Sequence, residues 1–527
     1  MTTDHKEPVT PDMQWLLRNG IGIQIMETLA VGTFLVAYAV SLGASNFVIG
    51  LLAAIPHLSQ LAQIPALYVI EHFRNRRRIY SVAGMVARPM LLVIGLAAFV
   101  SEARLALNII MAAFGVRYLA GAFISCSWNS WMRDLIPDNQ MGTVFGGRQR
   151  VMMGVGILLS LCAAGFIDVW QHFNWLPERY AFTVIYGFAF CGGIYSVWAA
   201  SHIEEPAMAP ANEQLDLWKR LLTPLKDQNF RRLLAFLMSW NFAINLATPF
   251  FTVHMLKRME LPLTWIILLM TLSQLSSFLV VSQWGRIADK MANKSVLSVC
   301  SPLFIACIFA WTFTMFPERH SFTIPLLIMI HILTGIASAG VTLAGGNITM
   351  KLAPRGNATS FMAASAIGNS IAAGSASIIG GLTADFFLDR KLSLIARWEN
   401  PIAEQDITTL NIEQWDFFFL FAVIVGLYSL HRLSFVKEQG EVGERLVIES
   451  LINGALHTVR NLSSIAGLRG LTDFPMDVLR RTKQKTRKFF ITPTSSDAEE
   501  AQAPESNLET NSLIEPKASI EPEKSDD

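Results

Sequence analysis

Long apolar stretches follow one another along the chain from Gly20 to Val436, with only short polar segments between them. Most are at least about 20 residues long, which is the length that a helix needs to cross the hydrocarbon core of a bilayer. The pattern predicts twelve transmembrane helices. Their approximate bounds are 20–42, 47–70, 79–100, 105–132, 148–169 and 180–202, then 231–255, 263–283, 295–315, 324–350, 357–386 and 416–436.

The spacing of these stretches divides the chain into domains. A short N-terminal tail (1–15) precedes a six-helix bundle (16–202), a polar linker (203–230) and a second six-helix bundle (231–436). Residues 437–490 combine a helical stripe of apolar residues with a basic cluster that ends in Phe489 and Phe490, a composition suited to an anionic lipid surface or a protein partner. Residues 491–527 are rich in Glu, Ser and Pro and are predicted to be a disordered acidic tail.

Two pairs of residues recur at one offset in the two bundles. Asp168 and Asp385 are separated by 217 residues (385 − 168), and so are Pro137 and Pro354. Each aspartate follows a run of small residues at the end of the fifth helix of its bundle. The coincidence predicts a two-fold internal repeat, with two related halves in an all-α membrane fold.

Composition excludes the soluble classes of protein. The chain is 52% hydrophobic and 16% charged, with a mean hydropathy of +0.39, so most apolar residues must face lipid. A net charge of +1 gives no reason to expect nucleic acid as a partner. The sequence contains no phosphate-binding loop, dinucleotide fingerprint, His–Cys metal cluster or nucleophile elbow, so neither an enzyme nor a bound cofactor or metal is predicted.

Lysine and arginine are concentrated in the loops on one side of the predicted membrane. That side carries Arg74, Arg76, Arg77, Arg78, Arg133, Arg148, Arg150, Lys219, Arg220, Arg231, Arg232, Arg286, Lys290, Lys294, Lys351 and Arg355. Such loops stay in the cytoplasm during insertion. Both termini are therefore predicted to be cytoplasmic, and the expected location is a bacterial inner (plasma) membrane.

The loop after the eighth predicted helix carries a spaced pattern of glycine, acid and bases. It resembles the signature of the major facilitator superfamily, matching at Gly285, Asp289, Lys290 and Lys294 and departing at Ala292 and Asn293. The resemblance implies a secondary transporter of twelve helices. In such a protein, an acid and bases at helix ends are expected to gate one closed state.

Other positions refine this resemblance. The equivalent loop of the first half keeps Glu71 and Arg76 as gate candidates but has Leu67 where the glycine should stand. Arg117 precedes Gly121 by four residues, which is similar to a family element associated with proton coupling or substrate contact. The fifth helix lacks the Gly-Pro pair of the family's drug–proton antiporters, which favours uptake or exchange of a polar solute over multidrug efflux.

Glu27, Arg88 and Arg117 are charged residues that lie deep inside predicted helices, away from the helix ends. Because an unpaired charge there costs at least about 2.5 to 3.5 kcal/mol on insertion scales, Glu27 is expected to pair, preferably with Arg117. Two arginines and one acid would leave the cavity with one net positive charge, which favours an anionic or zwitterionic substrate. Glu27 is also the candidate for proton coupling, since a carboxyl at low dielectric can titrate near neutral pH when its partner moves away. A purely structural ion pair is the alternative.

Polar residues at helical spacing mark further candidate substrate-binding positions. They are Gln24 on the first helix, His57 and Gln60 on the second, Asn241 and Asn245 on the seventh and Gln274 on the eighth. The repeat offset relates Gln24 to Asn241 and His57 to Gln274. Hydrogen bonds that merely join helices are the alternative interpretation.

These features predict a secondary active transporter that moves a small polar solute by alternating access, with a proton as the candidate coupling ion. Two alternatives stay open. One is a transporter-like scaffold, sensor or assembly factor that docks through its tail, and the other is an exporter of amphipathic compounds. The scaffold would tolerate Glu27→Gln and fail on truncation of the tail.

Overall fold

The structure is a computed structural model that describes residues 11–136, 141–173, 176–208, 222–315, 321–353, 358–399 and 404–438, and a few positions up to 449. Within these residues, twelve helices are long and apolar enough to cross a membrane. Most of the predicted N-terminal tail, most of 437–490 and all of 491–527 lie outside the described residues, so their predicted properties stay predictions.

Six helices form the first half. Their bounds are Met13–Ser41 (α1), Asn46–Phe73 (α2), Arg76–Phe99 (α3), Ala103–Leu135 (α4), Val144–Phe173 (α5, preceded by a helical turn from Met141) and Arg179–Ala200 (α6). α1 is interrupted at Gly32, whose backbone φ of 64° suits glycine. α3 is interrupted at Arg88, because the following Pro89 has no N–H to donate to the preceding turn.

The second half repeats this order. Its helices are Gln228–Lys257 (α7), Leu263–Met291 (α8), Asn293–Trp311 (α9), Thr323–Leu352 (α10), Ser360–Phe387 (α11, preceded by a turn from Ala358) and Trp415–Ser434 (α12). The Asp227 side chain caps α7 by accepting from the Phe230 N–H at 2.6 Å. α7 therefore begins inside the predicted linker.

The segment between α11 and α12, predicted from the sequence as a loop, contains a hairpin. Two antiparallel strands, Lys391–Glu399 (β1) and Glu404–Glu413 (β2), pair along their length with one register shift between Leu394 and Ile395. The corresponding connection in the first half spans only residues 174–178. The hairpin is thus an insertion between α11 and α12, and the rest of the described fold is helical.

The two halves approach closely where α2 crosses α11. A side-chain carbon added at Gly50 would collide with the Ser377 carbonyl oxygen, and one added at Gly381 would lie 2.6 Å from the Asn46 carbonyl oxygen. Small residues let helix backbones come together in lipid, where no hydrophobic force drives helices against each other. The glycines therefore permit this crossing.

The two ends of the bundle carry different groups. One end, the basic face, holds the loop between α2 and α3 with Arg74, Arg76, Arg77 and Arg78, and the loop between α8 and α9. The other end, the aspartate face, holds the ends of α5 and α11 with Asp168 and Asp385, and the beginnings of α2 and α8.

Candidate functional site

A cavity of about 800 Å³ lies between the two halves, lined by α1 and α5 of the first half and α8 and α10 of the second. Its polar lining consists of amides, hydroxyls and one carboxylate: Gln24, Glu27, Thr28, Thr33, Gln149, Ser160, Thr271, Ser273, Gln274, Ser277 and Ser338. Small-molecule sites are typically clefts of about 300–1,000 Å³ with a few well-placed polar groups. The cavity therefore suits a small polar ligand.

Glu27 and Arg117 form an ion pair at the wall of this cavity. Arg117 Nη2 donates to Glu27 Oε1 at 2.5 Å. The Arg117 side chain is 5% exposed and the Glu27 side chain is 42% exposed, so the acid faces the cavity and the base lies behind it. The Arg117 guanidinium also lies 4.8 Å from the centre of the Tyr118 ring. The sequence predicted this pairing from the cost of an uncompensated charge.

Arg88 does not belong to the lining of the cavity. It is buried inside the first half, where it packs closely against Gly193 of α6 and interacts with the Tyr80 hydroxyl. The expected net positive charge does not hold for these lining residues, because Glu27 neutralises Arg117 and Arg88 lies elsewhere.

Among the predicted polar positions, Gln24 and Gln274 face the cavity. Gln24 Nε2 donates to Thr28 Oγ1 at 2.9 Å. His57 and Asn245 lie outside its lining. Asn245 Nδ2 donates to the Asn241 carbonyl oxygen at 2.8 Å, one turn earlier in α7.

The remaining predicted positions also lie away from the cavity lining. Asn241 Nδ2 donates to the Leu237 carbonyl oxygen at 2.8 Å, one turn earlier in α7. Gln60 is exposed and hydrogen-bonds with Gln63. The alternative interpretation, bonding within and between helices, describes them in this conformation.

Several lining residues, mainly serines and threonines, are not among the positions predicted from the sequence. On α8 a signal was present, because Thr271, Gln274 and Ser277 recur at intervals of three and so share one helix face. Gln149 and Ser160 of α5 carried no comparable pattern.

On the basic face, Arg76 is fully buried among partners from its own half. Its Nη1 donates to Asp134 at 2.5 Å and to the Ser130 carbonyl oxygen at 2.9 Å, and its Nη2 donates to the Pro206 carbonyl oxygen at 2.7 Å. Its backbone N–H donates to Glu205 Oε1 at 2.6 Å. In this conformation Arg76 therefore joins α3, α4 and the chain after α6, and these bonds do not cross between the halves.

Glu438, which follows α12, makes a related cluster in the second half. It accepts from the Lys294 backbone N–H at 2.7 Å, from Asn293 Nδ2 at 3.0 Å and from Lys351 Nζ at 2.8 Å. Burial opposes ionisation of this carboxyl, but the hydrogen bonds outweigh burial and lower the pKa of Glu438. The chain after each half's last helix is thus fastened to the start of that half's third helix.

The signature loop has an unusual backbone conformation. Gly285 lies within α8, and Asp289 and Lys290 are exposed near its end, as Glu71 is near the end of α2. Ala292, which stands where the signature has glycine, has φ 70° and ψ 153°. Residues with a side chain rarely adopt this conformation. The backbone has therefore kept a geometry that suits the missing glycine.

Two aspartates join the halves at the aspartate face. Asp168 at the end of α5 accepts from the first two backbone N–H groups of α8, those of Leu263 and Thr264, at 3.1 and 3.0 Å. Asp385 at the end of α11 accepts from the first two N–H groups of α2 at 2.9 and 2.8 Å. Each half thus supplies the N-terminal cap of a helix in the other half.

A second cavity, of about 670 Å³, lies beside Asp168 on the same face. Its lining includes His172, Glu178 and Glu260. Burial raises the pKa of Glu178, and the neighbouring Asp168 carboxylate adds to the rise. The surroundings of Asp168 are therefore acidic.

Twelve spanning helices in two related halves, with a polar cavity between the halves, are the architecture of a secondary membrane transporter. The model of the Major Facilitator Superfamily matches residues 20–377. The chain belongs to this superfamily and is an integral, multi-pass membrane protein, as the signature resemblance predicted.

Several solved structures are similar to this chain. The nucleoside transporter NupG aligns with a TM-score of 0.59 at 13% identity, covering 81% of this chain and 99% of that chain. A bacterial homologue of the iron transporter ferroportin in its inward-facing state has a TM-score of 0.56 at 10% identity, with coverages of 80% and 96%. A D-xylose-proton symporter has a TM-score of 0.56 at 13% identity, with coverages of 82% and 99%. At these identities the likeness concerns the fold alone. A search of curated protein sequences finds no match.

Proposed function

We propose that this protein is a secondary active transporter that carries a small polar solute without net charge through the cavity between its halves by alternating access. The observation that carries the proposal is the cavity itself, because α1 and α5 line it from one half and α8 and α10 from the other. A site shared by two halves becomes accessible to each side in turn when the halves rock. We assign the basic face to the cytoplasm from its excess of lysine and arginine.

The charge of the lining supports an uncharged or zwitterionic solute over an anion. Glu27 and Arg117 cancel each other at the wall, and Arg88 is 3% exposed inside the first half. A solute with several hydroxyl or amide groups would find partners at Gln24, Gln274 and the hydroxyls of α8. A solute without such atoms would leave these polar groups of the cavity without hydrogen-bond partners, so the site would discriminate against it. Two proteins of the same fold are named for nucleosides and D-xylose, which carry hydroxyl groups.

Ligand-dependent thermal stabilisation of the purified full-length protein tests the solute class. A panel of sugars, nucleosides, amino acids, organic anions and cationic amines is compared, and a ligand at about 100 times its Kd should stabilise by about 2.7 kcal/mol. We expect neutral hydroxylated compounds to stabilise the protein and Gln274→Ala to weaken the effect. Gln60→Ala, which alters an exposed glutamine outside the cavity lining, is the matched control. Stabilisation by organic anions that Gln274→Ala leaves unchanged would contradict the proposal.

Glu27 is the proposed site of the coupling proton. Its side chain is partly exposed to the cavity and bonds to Arg117, so protonation would remove the charge that holds the arginine. Arg117 could then move, and protonation of Glu27 would in this way change the conformation of the cavity wall.

In proteoliposomes, Glu27→Gln should abolish uptake driven by a pH gradient while leaving solute exchange without a gradient. The substitution keeps the shape of the side chain but removes its titration, which separates coupling from binding. Glu102→Gln, at an exposed acid in the loop between α3 and α4, should retain both activities. Because the Arg117 charge loses its partner, thermal stability is measured alongside. Gradient-driven accumulation by Glu27→Gln would exclude Glu27 as the proton site.

A further inference from the structure

The same cap occurs twice at the boundary between the halves, in opposite senses. Asp385 accepts from the Asn46 and Phe47 N–H groups that begin α2, and Asp168 accepts from the corresponding groups that begin α8. The capped residues obey the repeat offset of the aspartates, since Asn46 and Leu263 are also 217 residues apart (263 − 46). The pair of caps therefore follows the two-fold repeat of the whole molecule.

These bonds exist only while the halves are together on this face. The first N–H groups of a helix have no acceptor within the helix, and their partial positive charge favours a carboxylate. Here the carboxylate always comes from the opposite half, so parting of the halves transfers both helix ends to water. An interaction made in one conformation and absent from the other shifts the equilibrium between the two.

The two caps differ in what supports them. At α2, the Ser45 hydroxyl accepts from the next free N–H, that of Val48, at 3.3 Å. Lys257 of α7 donates to the Ala44 carbonyl oxygen at 3.1 Å and attracts Asp385. α8 instead follows Pro262, which offers no side-chain acceptor. Loss of Asp168 should therefore disturb the boundary more than loss of Asp385.

We propose that Asp168 and Asp385 together form the outer gate of this transporter and bias it toward the conformation that is closed on the aspartate face. The inference rests on the proposed transport function and orientation. It assigns to these two carboxylates a conformational role that is separate from solute binding in the central cavity.

A reporter thiol in the cavity tests the gate in the full-length protein. Thr271→Cys supplies the thiol, and a membrane-impermeant maleimide is applied to right-side-out and inside-out vesicles. We expect slow labelling of the reporter from outside and faster labelling from inside. Asp385→Ala should raise the outside rate about fivefold, as expected for loss of an N-cap, and Asp168→Ala should raise it at least as much. The double variant should exceed either single variant.

Asp389→Ala is the matched control, because it removes the carboxylate of an exposed aspartate four residues after Asp385. It should leave the labelling rate unchanged, and protein without the reporter gives the background of the native cysteines. Gate variants that label at the parent rate, or an equal rise with Asp389→Ala, would overturn the proposal. The assay needs no solute, so a failure of the transport proposal would appear separately, as absence of uptake with intact gating.

If the variants do not fold, hydrogen exchange of the unaltered protein tests the gate instead. Amide hydrogen exchange should then show protection at Asn46, Phe47, Leu263 and Thr264. Exchange of these four amides at the rate of exposed loop amides would overturn the gate.

Discussion

Ala292 occupies a backbone conformation that its own side chain disfavours. The sequence shows only that alanine replaces the second glycine of the superfamily signature, whereas the structure gives the position φ 70° and ψ 153°. A conformation of this kind costs about 1–3 kcal/mol for a residue with a side chain. The replacement therefore carries a local strain at the junction of α8 and α9.

Restoring the glycine should stabilise the protein. We expect Ala292→Gly to gain about 1 kcal/mol, because relief of the strain outweighs the extra flexibility of the unfolded chain. Ala288→Gly, one turn earlier and inside α8, should lose about the same amount, since glycine in a helix interior costs about 0.5–1 kcal/mol. Thermal unfolding of both variants in detergent measures the difference. Equal losses in both would show that Ala292 is not strained.

The contacts of a single residue could be predicted from the sequence where its chemistry allowed few alternatives. The cost of a charge in lipid forced Glu27 to have a partner, and Arg117 is that partner. The same rule could not place Arg88, because its direction depends on the interruption of α3 at Pro89 and on the packing of α6. The serines of the cavity were missed because hydroxyls in helices commonly bond to their own backbone, as Ser160 does, and so give no signal of their surroundings.

At the scale of helices and strands, hydropathy located every spanning helix but not its ends. α5 was expected at 148–169 and extends over Val144–Phe173, because helices continue past the apolar core into polar surroundings. α9 was expected to end at 315 and ends at Trp311. The hairpin was missed because Lys391–Glu399 mixes charges with apolar residues and shows neither a helical nor a clean alternating pattern. Glu438 fastens the chain after α12, but the sequence shows only an acid after a helix at this position, so these contacts were not predicted.

Glu438 predicts a pH-dependent contribution to stability. Its pKa is lowered below the ordinary value of 4.5, so the folded state favours the ionised carboxyl. That contribution is complete above about pH 4.5 and is lost as the pH falls through the lowered folded-state pKa. Glu438→Gln should therefore destabilise the protein by about 1 kcal/mol at pH 7 and progressively less as the pH falls below 4.5.

Thermal unfolding of the two proteins from pH 7 down to about pH 2.5 measures this effect, because this range extends well below the ordinary pKa of the carboxyl. Glu71→Gln, at an exposed acid near the basic face, should match the unaltered protein at every pH. A deficit of Glu438→Gln that stayed constant through the acid range would rule out the carboxylate charge as its source.

At the scale of the whole molecule, polar bonds between described residues fasten each half internally, and a second set joins the two halves. Arg76 bonds only within the first half and Glu438 only within the second. The aspartate caps and the Lys257 hydrogen bond cross the boundary between the halves. The repeat offset anticipated two related halves, but not which contacts would join them, because a single sequence records no conformation. Rocking of rigid halves follows naturally from such an arrangement.

Cross-linking should distinguish the boundary from the interior of a half. Lys257→Cys with Ala44→Cys, joined by a short bismaleimide that contains a reducible disulfide, links the halves, since the Lys257 amine lies 3.1 Å from the Ala44 carbonyl oxygen. We expect this link to stop uptake of the solute identified by thermal stabilisation, and cleavage of the linker to restore it. Arg232→Cys with Phe435→Cys, at a contact of 3.4 Å within the second half, is the matched control and should leave uptake intact. Undiminished uptake with the first link closed would exclude rocking at this boundary.

The crossed caps also impose an order on how the molecule is assembled. Asp168 meets the start of α8 after 95 further residues have been synthesised, whereas the start of α2 meets Asp385 only after 339. The beginning of α2 is therefore inserted long before its acceptor exists, and water or lipid headgroups must satisfy its N–H groups in the meantime. Completion of the first half is postponed until nearly the whole second half has left the ribosome. A chain that stops before α11 would contain every helix of the first bundle but would lack Asp385, the carboxylate that caps the beginning of α2.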